Sequence, residues 1–163
     1  MIKDVEKSTE TMLGDPNIDL WGFFFQTRDA IYQALTKEVR LHGLTVMDGA
    51  VLIFIDFLGD KATPAEISRW LFRRHHTILA QLNRLERKGL ITANKGLLKK
   101  NVISLGFTPK GREALRVLQQ REALSFVFSS ITDNERRQLW AILKKLQDSA
   151  IEYVKKSIPK NKK

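Results

Sequence analysis

The sequence predicts a mainly α-helical protein with one small β-ribbon, and three observations carry that expectation. Apolar residues recur at steps of three, four or seven along most of the 163 residues, the stripe of amphipathic helices. Capping residues and helix-stopping glycines punctuate the stripe at short intervals. The period breaks once, between Leu90 and Phe107, where two short runs rich in β-branched and aromatic residues flank a basic linker.

Residues Met1 to Gly14 are polar and charged with little periodicity and read as a loose arm or a short helix. From about Pro16 to His42, Leu20, Phe24, Ile31, Leu35 and Val39 line one face of a long helix, and Gly43 is placed to end it in a left-handed cap. Thr45, three residues before Asp48, opens a second helix with Val51, Leu52, Ile55 and Leu58 inward, stopping near Gly59. In Thr63-Pro64-Ala65-Glu66 the threonine is an N-cap and proline takes the first helical position, where its missing N–H is harmless. Glu66 is expected to reach back to the cap.

That short helix runs through Leu71, and after about three residues another begins with Ile78, Leu82 and Leu85 as its inward stripe, ending at Lys88-Gly89. Leu90 to Ala93 and Val102 to Phe107 read as two strands joined by the basic linker Asn94 to Lys100. Thr108-Pro109 starts a helix expected to continue to about Phe128, with Gly106 and Gly111 shaping a turn around its start. Thr132 and Glu135 form a further capping box for a last helix carrying Leu139, Ile142, Leu143, Leu146, Ile151 and Val154. Ser157 to Lys163 is basic and expected to be disordered.

The charge is not spread evenly. Lys61 to Arg116 holds 13 Lys and Arg against 3 Asp and Glu, which accounts for the whole formal net charge of +10. A surface charged only for solubility mixes both signs along the chain, so this confinement points to a polyanion facing one module, and double-stranded DNA is the expected one. The length allows one domain with a real core, or a small module joined to an oligomerisation element. The lack of cysteine excludes disulfides, thiolate zinc sites and thiol catalysis. Apolar runs such as Ala50 to Ile55 are far too short to cross a bilayer, and the amino terminus lacks the apolar core of a secretory signal, so a cytoplasmic protein with no membrane partner is expected.

Helix, helix, short helix, turn, helix and two-stranded ribbon is the order of a winged helix-turn-helix, in which the second helix of the pair enters the major groove and the ribbon reaches the backbone or minor groove. The inward stripe of that helix leaves Arg74, His75, Thr77, Gln81 and Arg84 outside, with His76 near its start. Gln, Thr and neutral His both donate and accept, as base edges require, while Arg forks onto guanine or clamps a phosphate. With Arg73, the residues Arg74, His75 and Arg84 are expected at the DNA backbone. The pair His75-His76 is not read as a metal site, because adjacent helix positions diverge by about 100° and metal ligands favour spacings of three or four. No glycine-rich phosphate loop, nucleophile elbow or HExxH-like helix is present, so no catalysis and no cofactor are expected.

The run from Thr45 through Gly111, with TPAEISRWL, NRLERKGLI and FTPKGREAL, resembles the MarR family of bacterial and archaeal winged-helix transcription regulators. The resemblance implies a triangular homodimer, each winged module reading half of a near-palindromic operator, often released by a small aromatic or anionic effector. Base reading would fall on His76, Thr77, Ala80 and Gln81. The ribbon departs from the family's Asp-x-Arg, since Lys99 and Asn101 stand there with Lys100 between, which leaves Lys95, Lys99 and Lys100 as phosphate neutralisers.

The long outer helices, Pro16 to His42 and Thr132 to Lys156, carry more apolar surface than a small winged module can cover, and self-association is the economical way to bury it. The expected division is an arm and dimerisation helix over 1–44, the winged module over 45–108, and dimerisation helices with a basic tail over 109–163. Trp21, Phe25, Arg28 and Tyr32, at steps of three or four, offer aromatic walls and a cation for an effector, although such a stripe is more often packing. The resulting expectation is a dimeric DNA-binding repressor. The competing one is a winged-helix interaction module that binds a protein or RNA without reading DNA sequence.

Overall fold

The computed structural model describes residues 13–95, 103–120 and 122–157. Helix α1, Pro16–Arg40, begins at Asp15, whose side chain accepts the Asn17 N–H at 2.7 Å. It ends slightly before the expected His42 because the chain has already turned: Gly43 sits at φ +66° and the Leu44 N–H returns to the Val39 carbonyl at 3.1 Å. Helix α2, Val46–Leu58, opens on the expected reciprocal cap, with Asp48 N–H to Thr45 Oγ1 at 3.1 Å and Thr45 N–H to Asp48 Oδ2 at 2.9 Å. A single 3₁₀ turn, Gly59–Lys61, leads to α3, Pro64–Trp70.

Here one expectation is corrected. Thr63 does cap α3, accepting the Glu66 N–H at 3.2 Å, but the Glu66 carboxylate turns forward to Arg69 at 2.6 Å rather than back to the Thr63 backbone. A cation three residues on in the same helix competes for that carboxylate, and it wins.

Helix α4, His75–Arg87, lays Ile78, Leu82 and Leu85 into the core as expected. Strand β1, Ile91–Lys95, pairs antiparallel with β2, Ile103–Phe107, from Ile91 opposite Phe107 to Lys95 opposite Ile103. The motifs KGL and TPKG turn out to be two halves of one joint. Thr108 Oγ1 donates to the Gly89 carbonyl at 2.6 Å and accepts the Gly111 N–H at 3.0 Å, while Lys110 Nζ donates to the Lys88 carbonyl at 2.9 Å. Gly111 does not shape a turn, contrary to expectation: it lies buried in the first turn of α5, Pro109–Gln120, where a Cβ would stand 1.8 Å from the Leu90 carbonyl oxygen. Glycine is there because backbone passes against backbone.

Of the helix expected from Pro109 to Phe128, α5 runs to Gln120 and α6 spans Glu122–Phe128, residue 121 lying outside the described residues. The first N–H groups of α6 meet a carboxylate from far away in sequence: Glu38 on α1 accepts those of Glu122 and Ala123 at 3.0 and 3.2 Å. Helix α7, Asp133–Ser157, opens on the expected Thr132–Glu135 box, with the Glu135 N–H on Thr132 Oγ1 at 3.3 Å. Bonds to Glu135 from the Thr132 backbone N–H first, and from its hydroxyl second, hold that carboxyl below its ordinary pKa.

The chain forms two compact units, Met1–Leu124 and Ser125–Lys163. The first has a closed core in which Val51, Leu52, Ile67, Ile78, Leu85 and Ile91 are fully buried. In the second, α7 buries no residue. No described helix is long and apolar enough to cross a membrane.

Candidate nucleic-acid interface

The outer side of α4 is a continuous exposed strip. His75, His76, Thr77, Ala80, Asn83 and Arg87 are all exposed, and Arg73 and Arg74 precede them in the exposed turn from α3. Four of the helix residues, His76, Ala80, Asn83 and Arg87, fall at steps of three and four on one line. Asn83 and Arg87 were not among the expected contacts, although their helical spacing from His76 could have pointed to them.

The start of α4 differs from the other helix starts. Asp15, Thr45, Thr63, Thr108, Glu38 and Thr132 each place an oxygen on the first-turn N–H groups of their helices. Arg74, the N-cap of α4, makes no such side-chain bond, and the first turn of α4 has no acidic residue. The positive end of the helix therefore adds to the two arginines instead of being neutralised. The turn leading into it is tight. Phe72 takes φ +50°, and the Arg73 N–H returns to the Ser68 carbonyl at 3.0 Å. Phe72 is the one described non-glycine residue at positive φ, a position where glycine is the usual occupant. Its residue type offers no sequence signal for it.

The side of α4 next to the strip is occupied by a carboxylate. Among the described residues Asp48 is the one buried charged side chain, with no exposed surface. Gln81 Nε2 donates to its Oδ1, and Arg84 Nη2 and Lys88 Nζ reach its Oδ2 at 2.6 and 3.0 Å. Arg84 also touches Thr45 Oγ1 at 3.1 Å, and Lys88 also donates to the Gly43 carbonyl at 2.9 Å. Burial pushes the Asp48 carboxyl upward, but hydrogen bonds from the Thr45 backbone, Lys88 and Arg84 outweigh it and hold the pKa below the ordinary 3.8.

This network corrects the expected orientation of two residues. Gln81 and Arg84, expected on the outer face, are half-buried and directed at Asp48. Residues 81, 84 and 88 follow one another at steps of three and four, so they share a stripe beside the apolar one, and a buried anion opposite draws them inward.

No family model and no curated protein sequence matches the chain. Solved structures do. The organohalide-sensing transcriptional regulator RdhR in its ligand-free form matches with a TM-score of 0.78 and 23% identity over 100% of this chain and 99% of that one. The chain has the winged-helix fold of the MarR-family transcriptional regulators. The same RdhR in its 2,4-dichlorophenol-bound form matches with a TM-score of 0.74 and 26% identity over 83% of this chain and 81% of that one. A mutant MarR from E. coli complexed with operator DNA gives a TM-score of 0.72 at 20% identity, covering 79% of this chain and 94% of that one.

Within this MarR-type frame, Lys95 is the last residue of β1, while Lys99 and Lys100 lie outside the described residues. The four aromatic and basic residues proposed for an effector do come together along α1. The Arg28 guanidinium stands 6.0 Å from the Phe25 ring and 5.3 Å from the Tyr32 ring, and Trp21 packs tilted against Phe25 at 6.4 Å. They are exposed, and they do not line the apolar cavity of this unit. That cavity, of about 150 Å³, lies between α1, α2, α5 and the start of α6, walled by Leu35, Val39, Val46, Ile53, Leu118 and Leu124, with Glu38 and His42 also at its lining. Sequence reading missed it, since its walls come from four helices and no local pattern marks them.

Proposed function

We propose that the chain is a DNA-binding transcriptional regulator that acts in the cytoplasm as a homodimer and reads a near-palindromic operator as a repressor. The observation that carries this reading is the coincidence of the confined basic charge with the exposed strip of α4 beside the two-stranded ribbon. His76, Thr77 and Ala80 are the proposed base readers, Gln81 contributing only through the carbonyl side of its amide. Arg73, Arg74, His75, Lys95, Lys99 and Lys100 serve the phosphates, and Arg84 supports them from its site on Asp48. The operator complex of E. coli MarR supports the DNA partner. The division into an arm and dimerisation helix over 1–44, a reading module over 45–108 and dimerisation helices over 109–163 belongs to the same proposal. No enzymatic step is part of it.

Dimerisation is supported by apolar side chains left uncovered on both long helices. On α1 they include Trp21, Phe23, Phe24 and Phe25, and on α7 Trp140, Ile142, Leu146 and Val154. The effector is a small, largely apolar molecule in the α1–α2–α5 cavity, because an apolar cavity of about 150 Å³ accommodates a benzene-sized ring. The lining is almost wholly apolar, and both oxygens of the one carboxylate beside it, Glu38, already accept the Glu122 and Ala123 N–H groups, which favours an uncharged ring over an anion, in keeping with the 2,4-dichlorophenol-bound relative.

Selection of bound duplexes from genomic fragments, followed by mobility shift against excess competitor DNA, tests the proposal. A specificity ratio of about 10³ or more is expected. A ratio near unity rejects sequence reading and favours the interaction-module alternative.

A further inference from the structure

We propose that Asp48 is a positioning residue for sequence discrimination, fixing the rotation of α4 about its own axis so that the exposed strip meets base edges in register. The proposal rests on the DNA-reading function above. Its physical basis is the difference between the two kinds of interaction that hold α4. Ile78, Leu82 and Leu85 attach the helix to the core through apolar burial, which is non-directional and tolerates rocking. The bonds from Gln81, Arg84 and Lys88 to Asp48 are directional, span two turns of the helix, and converge on one carboxylate that is itself locked into the first turn of α2.

Side-chain tips of an α-helix ride about 5 to 6 Å from its axis, so a rotation of about 30° sweeps each tip by about 3 Å, the whole length of a hydrogen bond. Base contacts from His76 or Thr77 do not survive such a shift. Phosphate contacts from flexible Arg and Lys side chains do, because they follow the charge over several ångströms. Loss of the clamp therefore separates discrimination from affinity.

Asp48→Asn tests this, because asparagine keeps an acceptor for the Thr45 cap while removing the charge that gathers Arg84 and Lys88. Lys88→Met removes one arm of the clamp from a residue with no part in the proposed DNA contacts. Val51→Ala serves as a control: it lies on α2, the helix that carries Asp48, and weakens the apolar core shared with α4 without touching the polar network. The wild-type chain first selects its preferred duplex from a random library, and Kd for that duplex and a scrambled one is then compared among all four proteins. The expected result is a specificity ratio lowered about tenfold or more in Asp48→Asn and several-fold in Lys88→Met, with scrambled-duplex Kd within about twofold of wild type. Val51→Ala should keep its ratio. If Asp48→Asn does not fold, Lys88→Met decides. An unchanged ratio in the clamp variants, or an equal fall in Val51→Ala, overturns the positioning role while leaving DNA reading intact. A wild type with no preferred duplex overturns the reading itself and this proposal with it.

Discussion

Helices α4 and α7 have the same kind of amphipathic stripe and opposite fates. On α4, Ile78, Leu82 and Leu85 are exposed by 0%, 4% and 0%. On α7, Leu139, Ile142, Leu146 and Val154 remain exposed by 40%, 54%, 54% and 54%. An apolar stripe states that a face needs cover; it does not state whose atoms supply the cover. For α4 the chain does so itself, through α2, α3 and β1. For α7 we propose a second copy, since each such side chain gains roughly 1.5 to 3 kcal/mol when fully buried.

The coarsest way to break the comparison is to delete residues 132–163. Monomer or aggregate is the expected outcome, because the apolar face of α1 then loses its proposed partner surface. A well-folded dimer in sedimentation would show that the interface lies elsewhere.

On the self-covered side, Gly111→Ala drives a Cβ into the Leu90 carbonyl and should lower unfolding stability by about 3 kcal/mol, the upper range for overpacking. Chemical denaturation reads this directly. A change below about 0.5 kcal/mol would mean that the joint between α4 and α5 yields more easily than its geometry implies.

The exposed strip of α4 can be dissected more finely. Thr77→Ala should weaken binding to the preferred duplex by about 1 to 3 kcal/mol and flatten discrimination among bases. Arg74→Ala should weaken all duplexes about equally, and lower the magnitude of the slope of log K against log salt by roughly 0.9 for each phosphate no longer neutralised. Should Thr77→Ala reduce preferred and scrambled binding alike, the assignment of base readers fails.

The smallest effect concerns acid. The pKa of Asp48 is lowered by folding, so its contribution to stability is fully present above its unfolded value, near 3.8, and is lost as pH falls through the lower folded value. Between about pH 5 and pH 2, wild type should lose more denaturant resistance than Asp48→Asn. Parallel acid limbs for the two proteins would place the carboxylate's linkage elsewhere.

What was legible from residues alone is what is decided within about one helical turn or one helical period. The caps at Thr45, Thr63 and Thr132 bond three residues ahead, and the glycines at 43, 59 and 89 each stand at positive φ beside the helix they end. The inward residues of α4 follow from the repeat of the helix itself. The MarR resemblance was legible too, and part of its motif has a mechanical origin in the Thr108, Lys110 and Gly111 joint.

Tertiary structure alone decided the rest, because the partners are distant in sequence and any charged or apolar residue could have been chosen. Glu38 caps a helix 84 residues away, and Asp48 gathers donors 33 to 40 residues away. The periodicity left Gln81 and Arg84 on the open side of α4, and only the buried carboxylate opposite drew them in. A helical period fixes the angle of a side chain around its own axis, whereas what stands opposite that angle depends on how separate elements pack.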